Sequence, residues 1–215
     1  MRTLLLVRHA PTSATRASAF PADEQLDEAG REQARALAEA LPGRAEVITS
    51  PARRCRQTAE AAGFVARVDD AIGACDFGSW AGRTLSDVND GDPQAVRAWM
   101  LDPAAYPHGG ESLAVFAARI SRWLDAQAEL EGRIVAITHG EVVKAAVVHA
   151  LSAPLLAFWR IDATPLSVTE LQVHHGGWTV SRLNCPLISR AARPTSRART
   201  AGGRARRPPS PPGRG

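Results

Sequence analysis

The chain has 215 residues, 45% hydrophobic and 22% charged, with a formal net charge of +4 at pH 7. That length fits one α/β domain or two small ones, with ample core for independent folding. No run approaches the ~18 consecutive apolar residues of a membrane-spanning helix, which excludes an integral membrane protein of that kind.

The charge is unevenly distributed. Residues 190–215 hold eight arginines and no acid, so residues 1–189 carry a net −4. The basic balance belongs to an Arg/Pro-rich tail without an apolar face, which is expected to be disordered. The mildly acidic remainder argues against nucleic acid as a partner of the folded part. Cys55, Cys75 and Cys185 are odd in number, far apart and in no CxxC pair. A disulfide framework and structural zinc are therefore not expected, and the thiols read as small buried hydrophobes in a reducing compartment. The first residues run straight into a strand-like segment, without the features of a secretory signal, so the expected location is cytoplasmic.

Residues 4–7 form a short apolar run, read as a buried strand. Ala34, Leu37, Ala38 and Leu41 repeat at helical spacing until Pro42-Gly43 stops the helix. Val47-Ile48-Thr49 is a second strand, and Ser50-Pro51 is expected to open a helix, with serine as the cap and proline in the first turn. Leu113, Phe116, Ala117, Ile120 and Trp123 stripe a long helix after the Gly109-Gly110 turn. Ile134-Val135-Ala136-Ile137 is a third strand, followed by a helix from Gly140. Segments 167–173 and 178–183 flank Gly176-Gly177 as a hairpin. Short apolar strands alternating with amphipathic helices predict a three-layer α/β/α sandwich around a mostly parallel sheet, with residues 1–189 as one domain. Ligands of such folds lie beyond the carboxyl ends of the strands.

Three strand ends carry unusual polar groups: Arg8-His9 after the first, Arg54 shortly after the second, and His139-Gly140 after the third. Parallel strands would bring them to one rim. Two imidazoles and two guanidiniums in one cleft suit a phosphoryl group, because guanidinium forks bind its oxygens and helix N-termini add N–H donors. No Asp/His cluster has metal-ligand spacing, and no cofactor is implied. Arg53 and Arg56 read as an exposed helical face, and Phe77 and Trp80 as packing under a loop. His108, His149, His174 and His175 read as surface or structural, with His108 near the cleft rim.

These segments resemble the histidine phosphatase superfamily, in its phosphoglycerate-mutase-like branch. Leu6-Val7-Arg8-His9-Ala10 is similar to L-[VI]-R-H-G, and residues 50–59 to S-x-L-x-R-A-x-Q-T-A. Asp76-Phe77-Gly78-Ser79-Trp80-Ala81-Gly82 looks like D-F-G-x-W-x-G, and Gly109-Gly110-Glu111-Ser112 like G-G-E-S. Thr138-His139-Gly140-Glu141-Val142-Val143-Lys144 is similar to T-H-G-G-x-[IV]-R. Five motifs in register over residues 2–185 make the likeness specific. It implies that His9 is a nucleophile, that Arg8 and Arg54 hold phosphoryl oxygens, and that His139 is the second histidine. Thr12 and Gly140 join Arg8, Arg54 and His139 on the substrate.

The chain departs from the family pattern at Ala10, Cys55 and Lys144, and more seriously at Ala74, which stands where the resemblance expects a glutamate acid. A positioned acid contributes about 10²–10⁴-fold to such reactions. Asp76 and Glu111 are the candidates to replace it, Asp76 first. The expected function is a metal-independent phosphomonoesterase acting on a small phosphorylated metabolite through a phosphohistidine. The alternatives are a phosphoglycerate-mutase-type transferase and a phosphate-binding relative with little turnover. Segments 13–25 and 87–108 are expected to set the substrate.

Overall fold

The computed structural model describes residues 1–42, 45–174 and 176–186. The expected disorder of the tail and the reading of His175 fall outside them. In chain order the elements are β1 (Arg2–Arg8), α1 (Ser13–Arg16), α2 (Glu28–Arg35), α3 (Leu37–Ala40), β2 (Glu46–Thr49), α4 (Arg53–Ala61) and β3 (Arg67–Val68). There follow α5 (Leu85–Gly91), α6 (Pro93–Leu101), α7 (Leu113–Ala128), β4 (Gly132–Thr138), α8 (Gly140–Ala150), β5 (Ser167–His174) and β6 (Gly177–Pro186).

The strands form one sheet in the order β3-β2-β4-β1-β5-β6. β1 to β4 are mutually parallel, whereas β5 and β6 join as an antiparallel hairpin on the far side of β1. Alternation along the strands builds two cores. Leu4, Leu6, Ile134 and Ala136 face α7 and α8, packing on Phe116, Ile120, Leu124 and Val143. Leu5, Val7, Val135 and Ile137 face the other layer and pack on Leu37, Leu41, Cys55 and Ala59. Successive strand side chains point to opposite faces, so an unbroken apolar run is what a sheet covered on both sides requires. The expected three layers and mostly parallel sheet are present.

A smaller aromatic cluster of Phe20, Trp80, Val88 and Val96, with Phe77 and Trp99 against it, forms a cap over the carboxyl ends of the strands. Gly78 and Gly110 let two loops meet beneath it. A Cβ on Gly110 would lie 2.1 Å from the Asp76 carbonyl oxygen, and one on Gly78 2.1 Å from that of His108.

Two boundaries differ from the sequence expectation. The helix over residues 34–41 is two pieces, interrupted at Ala36, whose N–H bonds to Gln33 in a tighter turn that seats Leu37 in the core. The helix expected to open at Ser50-Pro51 begins at Arg53, with Ala52 as an N-cap that has no side-chain hydrogen bond. Ser50 cannot serve as the cap because its N–H still pairs with the sheet, on Ile137 O at 3.0 Å, and its hydroxyl is engaged in the cleft.

Candidate active site

The parallel register of β1, β2 and β4 brings their last residues side by side, Arg8 opposite Thr138 and Thr49 opposite Ile137. Pairing continues one residue further, since His9 N–H donates to Thr138 O at 2.8 Å. The segment after His9 is tied to α4 through Ala10 N–H on Thr58 Oγ1, and Thr58 in turn donates to Arg54 O. Arg8, His9, Arg54 and His139 therefore do converge on one rim.

His9 is 5% exposed and its ring has a defined tautomer. Nδ1 lies 2.7 Å from Ala10 O, an acceptor, so Nδ1 carries the proton. Nε2 is left with its lone pair and accepts from Arg54 Nε at 3.2 Å. His139 is the complement: Arg54 Nη2 donates to its Nδ1 at 3.0 Å, so Nε2–H donates to Ser50 Oγ at 2.7 Å. The two rings meet edge to face, centroids 5.4 Å apart. Burial, reinforced by Arg54 and Arg8, pushes His9 down to about 3 against the opposing bond to Ala10. Burial, with Arg54 and His9 adding to it, holds His139 well below its ordinary value too. Both imidazoles are thus neutral near pH 7, one as an acceptor toward the cleft and one as an orienting donor. Arg54 is fixed by both rings and lies 3.7 Å from Glu24.

Arg8 reaches the cleft from the end of β1. Its Nη1 donates to Ala163 O, and its buried Nε has no partner. Gly140 makes room for it: a Cβ there would sit 3.3–3.4 Å from the Arg8 guanidinium and Cδ. The helices that leave β2 and β4, α4 and α8, both lack a side-chain cap, whereas α2, α5, α6 and α7 have one. In α4 the first N–H, that of Arg53, is taken by Asp23 Oδ1 at 2.8 Å, so the N-terminus of α8, beside Arg8, is the one open toward the cleft.

Two adjoining cavities share Arg8, Phe77, Trp99 and Glu141. One, about 220 Å³, holds His9, Arg54 and His139 and is walled by residues 14–24. The other, about 200 Å³, is largely aromatic, lined by Phe116, Phe158 and Trp159 with Lys144 at its edge. The segments singled out for substrate selection, 13–25 and 87–108, both contribute walls. Phe77 is therefore a cleft wall as well as a packing residue.

Other expectations meet a different geometry. Thr12 is buried and caps α1, its hydroxyl donating to Glu24 rather than lining either cavity. Asp76 is exposed, and its Oδ1 accepts from Gly78 N–H. Glu111 is bound by Arg119 at 2.7 and 3.0 Å and accepts from Asp76 N–H. Arg119 also binds the carbonyls of Ala71, Gly73 and Ala74, so this carboxylate fastens a loop. Neither carboxyl lines the two cavities. His108 is buried against Phe77 and Trp80, Arg53 and Arg56 are exposed, and His149 bonds to Asp125. Cys55 is buried and its thiol is pushed up to about 12 by burial, whereas Cys75 and Cys185 are half-buried rather than core. Sequence reasoning missed Ser50 as the orienting acceptor, and Glu24, Glu141 and Lys144 as cleft residues. Among the described residues no group of three or more His, Cys, Asp or Glu side chains is placed to hold a metal ion.

A buried pair of neutral imidazoles bracketed by guanidiniums, at the carboxyl ends of parallel strands, defines a phosphoryl-transfer site. The chain belongs to the histidine phosphatase superfamily (branch 1), whose pattern it matches over residues 4–186. It is 34% identical over 173 residues to a glucosyl-3-phosphoglycerate phosphatase of Mycobacterium tuberculosis, covering 72% of this chain and 75% of that protein. It is 28% identical over 198 residues to phosphoserine phosphatase 1 of Hydrogenobacter thermophilus, covering 86% and 92%. The solved structure of a mycobacterial glucosyl-3-phosphoglycerate phosphatase with VO3 superposes with a TM-score of 0.74 at 29% identity, over 86% of this chain and all of that one. No helix among the described residues is long and apolar enough to cross a membrane.

Proposed function

We propose that this histidine phosphatase hydrolyses a small phosphorylated alcohol through a phosphohistidine on His9, without a metal ion. The observation that carries the reading is the His9 tautomer: the Nδ1–H bond to Ala10 aims a lone pair on Nε2 at the guanidinium that would hold the phosphoryl group. Binding exchanges the Arg54–His9 hydrogen bond for Arg54–phosphate bonds, and Arg8 Nε gains an acceptor. Nε2 then attacks phosphorus in line with the leaving oxygen, and water attacks the resulting phosphohistidine. Arg8, Arg54 and the oriented His139 carry the charge stabilisation that a divalent ion supplies in other phosphatases.

The relatives named above are phosphatases, which favours transfer to water over mutase chemistry. The adjoining aromatic cavity has room for an organic leaving group beside the phosphoryl position. Three cysteines without disulfides suit the cytoplasm, which we assign as the location.

The test is p-nitrophenyl phosphate turnover in EDTA together with rapid-quench trapping on a labelled substrate. Activity that persists in chelator, falls with vanadate, and leaves an acid-labile, base-stable phosphoenzyme in wild type but not in His9→Ala is the expected result. Turnover lost in chelator and restored by a divalent ion, or turnover without any trapped phosphoenzyme, would overturn it.

A further inference from the structure

Expelling an alkoxide from phosphorus needs a proton, and the following attack by water needs a base. Two carboxylates line the cavity that holds His9, those of Glu24 and Glu141. Glu24 is already committed. One of its oxygens accepts from Thr12 Oγ1, the other from Ala22 N–H, and the second also faces Arg54. Glu141 is different. Its Oε1 is buried with no hydrogen-bond partner, an arrangement that costs free energy in the fold and calls for an explanation. It is the second residue of α8, two positions after His139, so the same strand end that delivers the second histidine delivers this side chain. It lines both cavities, the one that contains His9 and the aromatic one beside it. A group at that junction stands between the phosphoryl position and the leaving group.

We infer that Glu141 is the proton-transfer residue of this enzyme, a catalytic residue in a site where Ala74 offers none and Asp76 and Glu111 are engaged elsewhere. The inference rests on the phosphohistidine reading above. In the first step the Nε2–phosphorus bond forms and the phosphorus–oxygen bond breaks. The leaving oxygen keeps the bonding pair and takes the Glu141 proton, departing as a neutral alcohol. In the second, water oxygen bonds to phosphorus, the electron pair of the broken nitrogen–phosphorus bond returns to Nε2, and one water proton passes to the Glu141 carboxylate. The cycle ends with hydrogen phosphate and Glu141 reprotonated, so no other acid or base is consumed. Arg8 and Lys144 line the aromatic cavity together with this carboxyl.

The experiment is Glu141→Gln, which keeps shape but can neither give up a proton nor accept one, measured against wild type on an alkyl phosphate and on p-nitrophenyl phosphate. Loss of a general acid slows the first turnover of the alkyl ester by about 10²-fold or more. The aryl ester, whose leaving group departs unprotonated, should release about one equivalent of nitrophenolate at near wild-type rate. It should then stall as phosphohistidine accumulates for want of the base. Asp76→Asn should keep the wild-type alkyl-to-aryl ratio. First-turnover rates that fall equally on both esters, an unchanged Glu141→Gln enzyme, or the same signature in Asp76→Asn or Glu24→Gln would each overturn the assignment. Wild type without a trapped phosphohistidine would overturn the covalent reading instead, and the alkyl-against-aryl split of first turnovers would still decide Glu141.

Discussion

At the scale of single residues, the site trades stability for reactivity. His9 takes up a proton near pH 6.5 in the unfolded chain but near 3 in the fold, because it is buried between cations. Between those values the unfolded state binds more protons, so stability rises with pH through this window and levels off above it. Urea unfolding from pH 4 to 8 should show that slope, and His9→Asn should make it shallower, His139 contributing the remainder; an unchanged slope in the variant would mean His9 is protonated in the native protein. His9, Arg8, Arg54 and His139 were legible in the sequence because each follows an apolar strand or opens the helix after one, and the order of such segments fixes their neighbours. Ser50, Glu24 and Glu141 were not. Ser50 resembles a helix cap in one dimension, and only the approach of His139, 89 residues away, claims its hydroxyl. Glu24 sits in a loop whose path depends on Thr12 and Ala22. Asp76 drew attention through its motif, yet a nearby backbone N–H competes for it, as short acidic side chains in turns commonly find.

At the scale of elements, helix starts are the functional joints. α8 begins on Gly140 against the Arg8 guanidinium, and this tight approach ties backbone placement to the side chain proposed above to hold the phosphoryl group. Gly140→Ala should leave the helix intact, since alanine is the better helix former. It must displace Arg8 by a few tenths of an ångström, and misplacement on this scale should cost about 3–10-fold in kcat/KM. Thermal unfolding within a degree or two of wild type, combined with that kinetic loss, would assign the effect to positioning. Strand identities and the two-sided cover were readable because an unbroken apolar run has few other homes. The break at Ala36 and the delayed start of α4 were not, since tertiary demands set them: Leu37 must reach the core, and Ser50 must still pair with the sheet.

Across the whole molecule, chemistry and charge are segregated. Every residue assigned to the cleft precedes position 187, the family match ends at 186, and eight arginines follow from 190 onward. Removing residues 190–215 should leave turnover unchanged and the melting temperature within a few degrees, read by calorimetry and initial rates. A larger drop would show that the basic segment packs on the acidic body. The tie between His9 Nδ1 and the Ala10 carbonyl has a further consequence, for handedness at phosphorus. In the covalent route proposed above, with one ring nitrogen occupied, a single nitrogen would both receive and surrender the phosphoryl group. Each in-line displacement turns the three remaining oxygens inside out like an umbrella, and two in succession turn them back. The inorganic phosphate released from an isotopically chiral ester should therefore show net retention of configuration at phosphorus, whereas direct attack by water would show inversion.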